Sequence, residues 1–141
     1  MRGTYVLLLR VTEPFRTEVG ALGPRSFPAG YYCYVGSAVG KRMTIERRVG
    51  RHRRVKDGEE TPLRWHIDYV LREPRVKIEA VFSLKGSRRE CEVAEFISAR
   101  GIPLKGLGSS DCRCESHLFR VNGKELPLTL EKLGFIETTA L

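Results

Sequence analysis

The chain has 141 residues, 41% of them hydrophobic and 30% charged, with a formal net charge of +8. That length suits one compact domain, residues 1–141, built on one core. No apolar run is long enough to span a bilayer and no secretory pattern opens the chain, so membrane-spanning and secreted classes are set aside and a soluble, cytoplasmic protein is expected.

Gly3–Val11 reads as a mostly buried strand that Glu13-Pro14 breaks. Phe15–Val19 and Arg25–Phe27 read as two short strands within a turn-rich segment. Tyr31–Val35 is the next strand, closed by a turn through Gly36-Ser37-Ala38, with Ser37 a candidate N-cap. A basic helix follows from about Gly40. After a polar loop, Pro62 suits the first position of a second helix, capped by Thr61 and ended by Pro74. Val76–Leu84 is a strand that places Val76, Ile78, Ala80 and Phe82 on one face. Ser87 suits the cap of a third helix, with Cys91, Ala94, Ile97 and Ser98 as its inner stripe. The segment from Leu104 to Cys114 is a loop dense in Gly, Ser and Asp. His117–Val121 is a strand, Asn122-Gly123 a tight turn, and Pro127–Leu133 a short terminal helix. This order predicts an α+β sandwich: helices against a mixed or mainly antiparallel sheet.

The excess charge is concentrated in Lys41–Lys56, which holds eight Lys/Arg and one Glu. Such a patch is an electrostatic footprint for phosphate, above all nucleic acid, supplied here by Lys41, Arg42, Arg47, Arg51, Arg53 and Arg54. A solvated surface is the plain alternative. Ile45, Arg48, Val49 and His52 share one helical stripe. Ile45 and Val49 suit a core; Arg48 and His52 need an anionic or polar partner there, unless Arg48 snorkels from the stripe's edge. Glutamine is absent and Asn122 is the one asparagine, which fits a thermophile. The four cysteines are then reduced thiols, or disulfide partners as thermophile cytosols allow. Cys112, Cys114 and His117, with Cys91 as a fourth ligand, form a candidate zinc site. A loop closed by hydrogen bonds from Ser109, Ser110 and Asp111 is the preferred reading of that segment.

Hydrolysis of a phosphodiester needs a cation on the phosphate, a carboxylate for a divalent metal, and a positioned water. The chain holds such a set in order: Gly3-Thr4-Tyr5, Tyr34-Val35-Gly36, Ile45-x-x-Arg48-x-x-x-His52, then a helix with Glu90, Glu92 and Glu95. This resembles the GIY-YIG endonuclease superfamily, over about residues 3–101. It looks closest to the small, mostly archaeal Uri-type branch, also catalogued as a domain of unknown function. That branch further resembles Trp65–Tyr69, Glu90–Glu92 and Gly108–Phe119. The remainder, about 102–141, is then a strand-helix extension, and Phe15–Phe27 an inserted hairpin that accounts for the long gap from Tyr5 to Tyr34.

The resemblance implies a divalent-metal-dependent endonuclease acting on DNA, with repair as the setting and Mg²⁺ or Mn²⁺ as cofactor. Zn²⁺ is the second choice of metal. It implies Tyr5 as general base or water-orienting group, Tyr34 as a positioning group, Arg48 on the phosphate and His52 beside it. Gly36 matches the motif glycine. Glu92 is the favoured metal ligand, with Glu90 next. The alternatives are a nucleic-acid-binding module without cleavage and a regulatory domain stapled by its cysteines. Tyr5 and Tyr34 also read as ordinary strand residues, and Trp65 and Tyr69 as packing or base-stacking groups. His66 and Asp68 line the site or form an exposed helical pair.

Overall fold

The computed structural model describes residues 1–109 and 112–138. The chain builds a six-stranded sheet, antiparallel throughout. Its strands are β1 (Gly3–Val11), β4 (Gly30–Ala38), β5 (Val76–Lys85), β6 (Ile102–Pro103), β7 (Leu118–Val121) and β8 (Ile136–Glu137), in the order β6-β7-β4-β1-β5-β8. The insertion forms a separate hairpin, β2 (Phe15–Glu18) against β3 (Pro24–Phe27), with Phe15 stacked on Phe27 at 4.8 Å.

β1 sits at the centre and is buried on both faces, which is why it reads as a continuous apolar run. Tyr5, Leu7, Leu9 and Val11 enter one core with the hairpin, α1 (Ile45–Lys56) and α2 (His66–Leu71). Val6 and Leu8 enter a second core with α3 (Glu90–Ser98) and α4 (Glu125–Lys132). Each fully buried leucine in these layers contributes roughly 1.5–3 kcal/mol. The expected α+β sandwich is present, with two cores rather than one.

Several local expectations need correction. β4 runs on through Gly36, Ser37 and Ala38 because these pair with Tyr5, Thr4 and Gly3. Ser37 therefore caps nothing. The basic helix starts at Ile45, where the Thr44 hydroxyl accepts from Arg47 N at 3.2 Å. Pro62 does not open α2. Asp68 does, its Oδ2 accepting from Arg64 N at 2.8 Å and Trp65 N at 3.0 Å. α3 begins two residues after the position a Ser87 cap allows, with Arg89 N donating to Thr4 Oγ1 at 2.9 Å. Cys91 is exposed and lies outside the core, and Val93 takes its place in the inner stripe. The turn at Asn122-Gly123 leads into α4 two residues earlier than Pro127, because Asn122 Oδ1 accepts from Lys124 N and Glu125 N. On β5, Leu8 opposes Ala80 while Leu9 opposes Ile78, so Glu79 is a bulge residue. The bulge sends Val76 and Ile78 to the first core but Ala80 and Phe82 to the second.

The extension is built into the sheet. β7 pairs with β4 and β8 with β5, and Leu118 and Phe119 enter opposite cores. Among the described residues no helix is long and apolar enough to cross a membrane.

Candidate active site

A cavity of about 360 Å³ opens where β1 and β4 pass under α1 and the loop before β7. Tyr5 from β1, Tyr34 from β4, Arg48 from α1 and Glu90 from α3 all line it. Four residues far apart in the chain thus meet at one site. The register supplies the reason for Gly36. It opposes Tyr5 across the strand pair, and a Cβ there would lie 2.5 Å from the Tyr5 Cζ. Any larger residue would expel the ring.

Tyr5 is buried and its hydroxyl lies 2.7 Å from His52 Nε2. Burial first, then the neighbouring Tyr34, pushes the Tyr5 pKa well above its ordinary value, against the opposing pull of Arg48. His52 is wholly buried among Tyr5, Tyr34 and Trp65, with ring centroids 5.6, 5.7 and 6.0 Å away. Burial lowers its pKa to about 3, although Asp68 pulls the other way, so the ring is neutral at physiological pH. His52 therefore supports Tyr5 and does not line the cavity. Its Nδ1 has no partner among the described residues. A buried bare acceptor is cheaper than an orphaned N–H, which places the ring proton on Nε2, donating to Tyr5 Oη. The Tyr5 hydroxyl proton is then turned to the cavity.

Arg48 carries no ion pair among the described residues, and its buried Nε has no partner there. Its guanidinium lies 4.6 Å from the Trp65 ring centroid. Arg51, one turn on, is differently employed. Its two terminal nitrogens donate to both Asp68 oxygens at 2.9 Å, and its guanidinium lies 4.2 Å from the same Trp65 ring. Asp68 is wholly buried, so it is no exposed helical pair with His66. Burial acts to raise its pKa, but hydrogen bonds from Arg51, Trp65 N and Arg64 N hold it below the usual carboxylate value. Trp65 is a platform for two arginines, at the cavity's edge.

The basic surface expected over Lys41–Lys56 is thus partly spent inside the protein. Arg51 is committed to Asp68, Arg54 to Glu60 at 3.1 Å, and Lys56 to the Glu73 carbonyl. Arg53 lines a separate small hollow with Lys77. Lys41, Arg42 and Arg47 remain exposed. The cavity instead gains Arg64 and Arg88, which charge clustering alone does not single out. Their one signal is adjacency, Arg64 to Trp65 and Arg88 to the Glu90–Glu92 segment.

The preference for Glu92 is also overturned. Its side chain is 67% exposed and its carboxylate is held by Arg89 Nε and Nη2 at 3.1 and 2.9 Å, away from the cavity. Glu90, 19% exposed, lines the cavity, with Arg88 Nε 3.6 Å from its carboxylate. Glu95 borders a different, more apolar hollow on α3.

At the cavity wall, which His117 helps to line, Cys91, Cys112, Cys114 and His117 form a cluster whose ligand atoms all lie within 4.8 Å of one another. This Cys3His arrangement can bind a metal ion. Of the hydrogen bonds expected to close the loop, Ser109 Oγ reaches the Glu115 carbonyl at 3.5 Å, while Ser110 and Asp111 lie outside the described residues. Ser116 closes the loop instead, its hydroxyl bonded to Leu104, Leu107 and Leu118. Gly108 N donates to His66 Nδ1 at 3.1 Å, tying the loop to α2.

The family described as a domain of unknown function, DUF123, matches residues 4–135. No curated protein and no solved structure matches the chain.

Proposed function

We propose, since the chain belongs to DUF123, a GIY-YIG-like family, that it is a divalent-metal-dependent phosphodiesterase acting on nucleic acid, DNA foremost. Within the superfamily we place it nearest the Uri-type branch. The observation that carries the reading is the convergence of Tyr5, Tyr34, Arg48 and Glu90 on one cavity whose other charged walls, Arg64 and Arg88, are basic. A phosphate diester is the anion that suits such a site.

Mg²⁺ or Mn²⁺ fits the residues present. Glu90 offers a hard carboxylate oxygen, and one carboxylate with waters and a substrate phosphate is a common way to hold a small divalent ion. When bound, the ion supplies charge neutralisation on the phosphate. Arg48 donates to a non-bridging oxygen as charge builds there, from a guanidinium already oriented by Trp65, so little reorganisation is needed. Tyr5 orients the attacking water. Its raised pKa makes it a poor free base, and the Nε2–H of His52 compensates by stabilising negative charge on Tyr5 Oη if the proton leaves. Tyr34 holds the other side of the cavity. Arg64 and Arg88 steer the backbone in.

One observation favours binding without cleavage: Arg88 beside Glu90 competes with a metal for that carboxylate. Single-turnover cleavage of duplex, flapped, branched and single-stranded substrates, with Mg²⁺ or Mn²⁺, separates the two. Cleavage that disappears in Arg48→Ala and Glu90→Gln supports the nuclease. Binding of the panel with no cutting under either ion gives the binding module, and cutting that survives Arg48→Ala refutes the site.

A further inference from the structure

We propose that Cys91, Cys112, Cys114 and His117 hold one zinc ion as a closed structural site that staples the loop before β7 to the start of α3. The inference is independent of the nuclease reading.

Three observations carry it. The first is geometric. His117 Nε2 lies 3.4 Å from Cys112 Sγ and 3.9 Å from Cys91 Sγ, and all four ligand atoms fall within 4.8 Å. A zinc tetrahedron with bonds of about 2.3 Å to sulfur and about 2.0 Å to nitrogen has edges of roughly 3.5–3.8 Å. Small side-chain adjustments close the gap. The second is burial. Cysteines gathered by the hydrophobic effect are buried, as Cys33 is in the second core. Cys91 is exposed and Cys112 and Cys114 half-buried, yet their sulfurs converge. A disulfide would use two of the three sulfurs and leave the third thiol over. The third is what the loop lacks. From Leu104 to His117 it has no strand or helix among its described residues and sends one large apolar side chain, Leu107, wholly into the core. A staple from Cys112 and Cys114 to Cys91 supplies what hydrophobic anchoring does not.

Soft thiolates with one imidazole select zinc over hard divalent ions. Four protein ligands leave no open position, so the ion's work is structural. Its place gives that work a consequence. Gly108, His117 and Glu90 all line the cavity, and Glu90 precedes the ligand Cys91. A Cβ on Gly108 would lie 3.1 Å from Tyr34 Cε1. The zinc staple therefore fixes both the wall facing Tyr34 and the helix start that presents Glu90.

The test uses the full chain, purified under reducing conditions. Elemental analysis should find about one zinc per chain, and cobalt exchange should give the intense visible bands of a tetrahedral thiolate site. Chelation should lower the melting temperature, and added zinc should restore it. Cys112→Ser and Cys114→Ser should weaken zinc binding roughly a hundredfold or more, while Cys33→Ala keeps the full equivalent. The wild-type cobalt spectrum stands even if a variant does not fold. Protein without zinc that develops no cobalt bands overturns the proposal. So does iron in zinc's place, or a melting temperature indifferent to chelation.

Discussion

His52 makes the fold sensitive to acid from pH 6.5 downward, above the range where the depressed surface carboxylates Glu46 and Glu92 take up protons. Burial lowers its pKa from 6.5 to about 3. The native ring therefore stays neutral where the unfolded ring takes up a proton. Stability is fully present above pH 6.5 and is lost as pH falls from 6.5 toward 3. The gap of about 3.5 pH units corresponds to roughly 5 kcal/mol over the whole window, at 1.36 kcal/mol per unit. Between pH 6.5 and 4.5 the loss should reach about 2–3 kcal/mol. The depressed carboxylate of Asp68 acts lower, as pH falls below its ordinary 3.8, so the two do not overlap in the measured range. The assay is urea denaturation at pH steps from 7.5 to 4.5, for wild type and His52→Gln. The cysteine cluster is common to both proteins, so its own acid response cancels in the difference. The wild type should lose up to one proton's worth of stability per pH unit more than the variant. Parallel curves would refute the reasoning, as would a His52 imidazole that titrates by NMR near pH 6 in the native protein.

Arg48→Ala should lower single-turnover cleavage roughly a hundredfold or more while leaving the melting temperature nearly unchanged, because no carboxylate among the described residues depends on it. Arg51→Ala should do the reverse, costing about 3–5 kcal/mol by stranding buried Asp68, read by denaturation, with the salt dependence of DNA binding unaltered. Glu90→Gln should abolish metal-dependent cleavage, whereas Glu92→Gln should leave it nearly unchanged, read as metal titrations of rate. Neutralising Arg64 and Arg88 together should make the slope of log K against log [salt] shallower by about 1–2, and an unchanged slope removes the cavity rim from the binding surface.

The strands were legible where burial imposes a pattern that one stretch of chain carries by itself. β1 announces itself as an apolar run and β4 by its aromatic residues, and the resemblance located Tyr5, Tyr34, Gly36 and Arg48 at what proves to be one cavity. What escaped was set by partners distant in sequence. β6 and β8 are two residues each and exist only because β7 and β5 offer free edges. The start of α1 is not legible locally because Gly36–Ala38 reads as a turn, and only pairing with Gly3–Tyr5 keeps it in the sheet. Choosing between Glu90 and Glu92 required knowing which way the first turn of α3 faces. Thr4 decides that by holding Arg89 N from 85 residues away in the chain.

The basic helix shows why charge counting misjudged the surface. A guanidinium can answer an anion from outside or one the protein itself buries, and sequence alone does not separate these. Arg48 lies one turn before His52 and Arg51 directly precedes it, and both lie against Trp65, yet their fates differ because of one carboxylate. Asp68 is buried to start α2, where it accepts from Arg64 N and Trp65 N, and its negative charge then demands a permanent partner. Arg51 meets that demand bidentately. With Asp68 neutralised, no carboxylate among the described residues pairs with Arg48, which under the proposed function leaves its guanidinium for a phosphate arriving in the cavity. The structural pair thus sets the condition for the role proposed for Arg48: one arginine is spent on folding α2, and the other, on the same platform, is left to face the cavity.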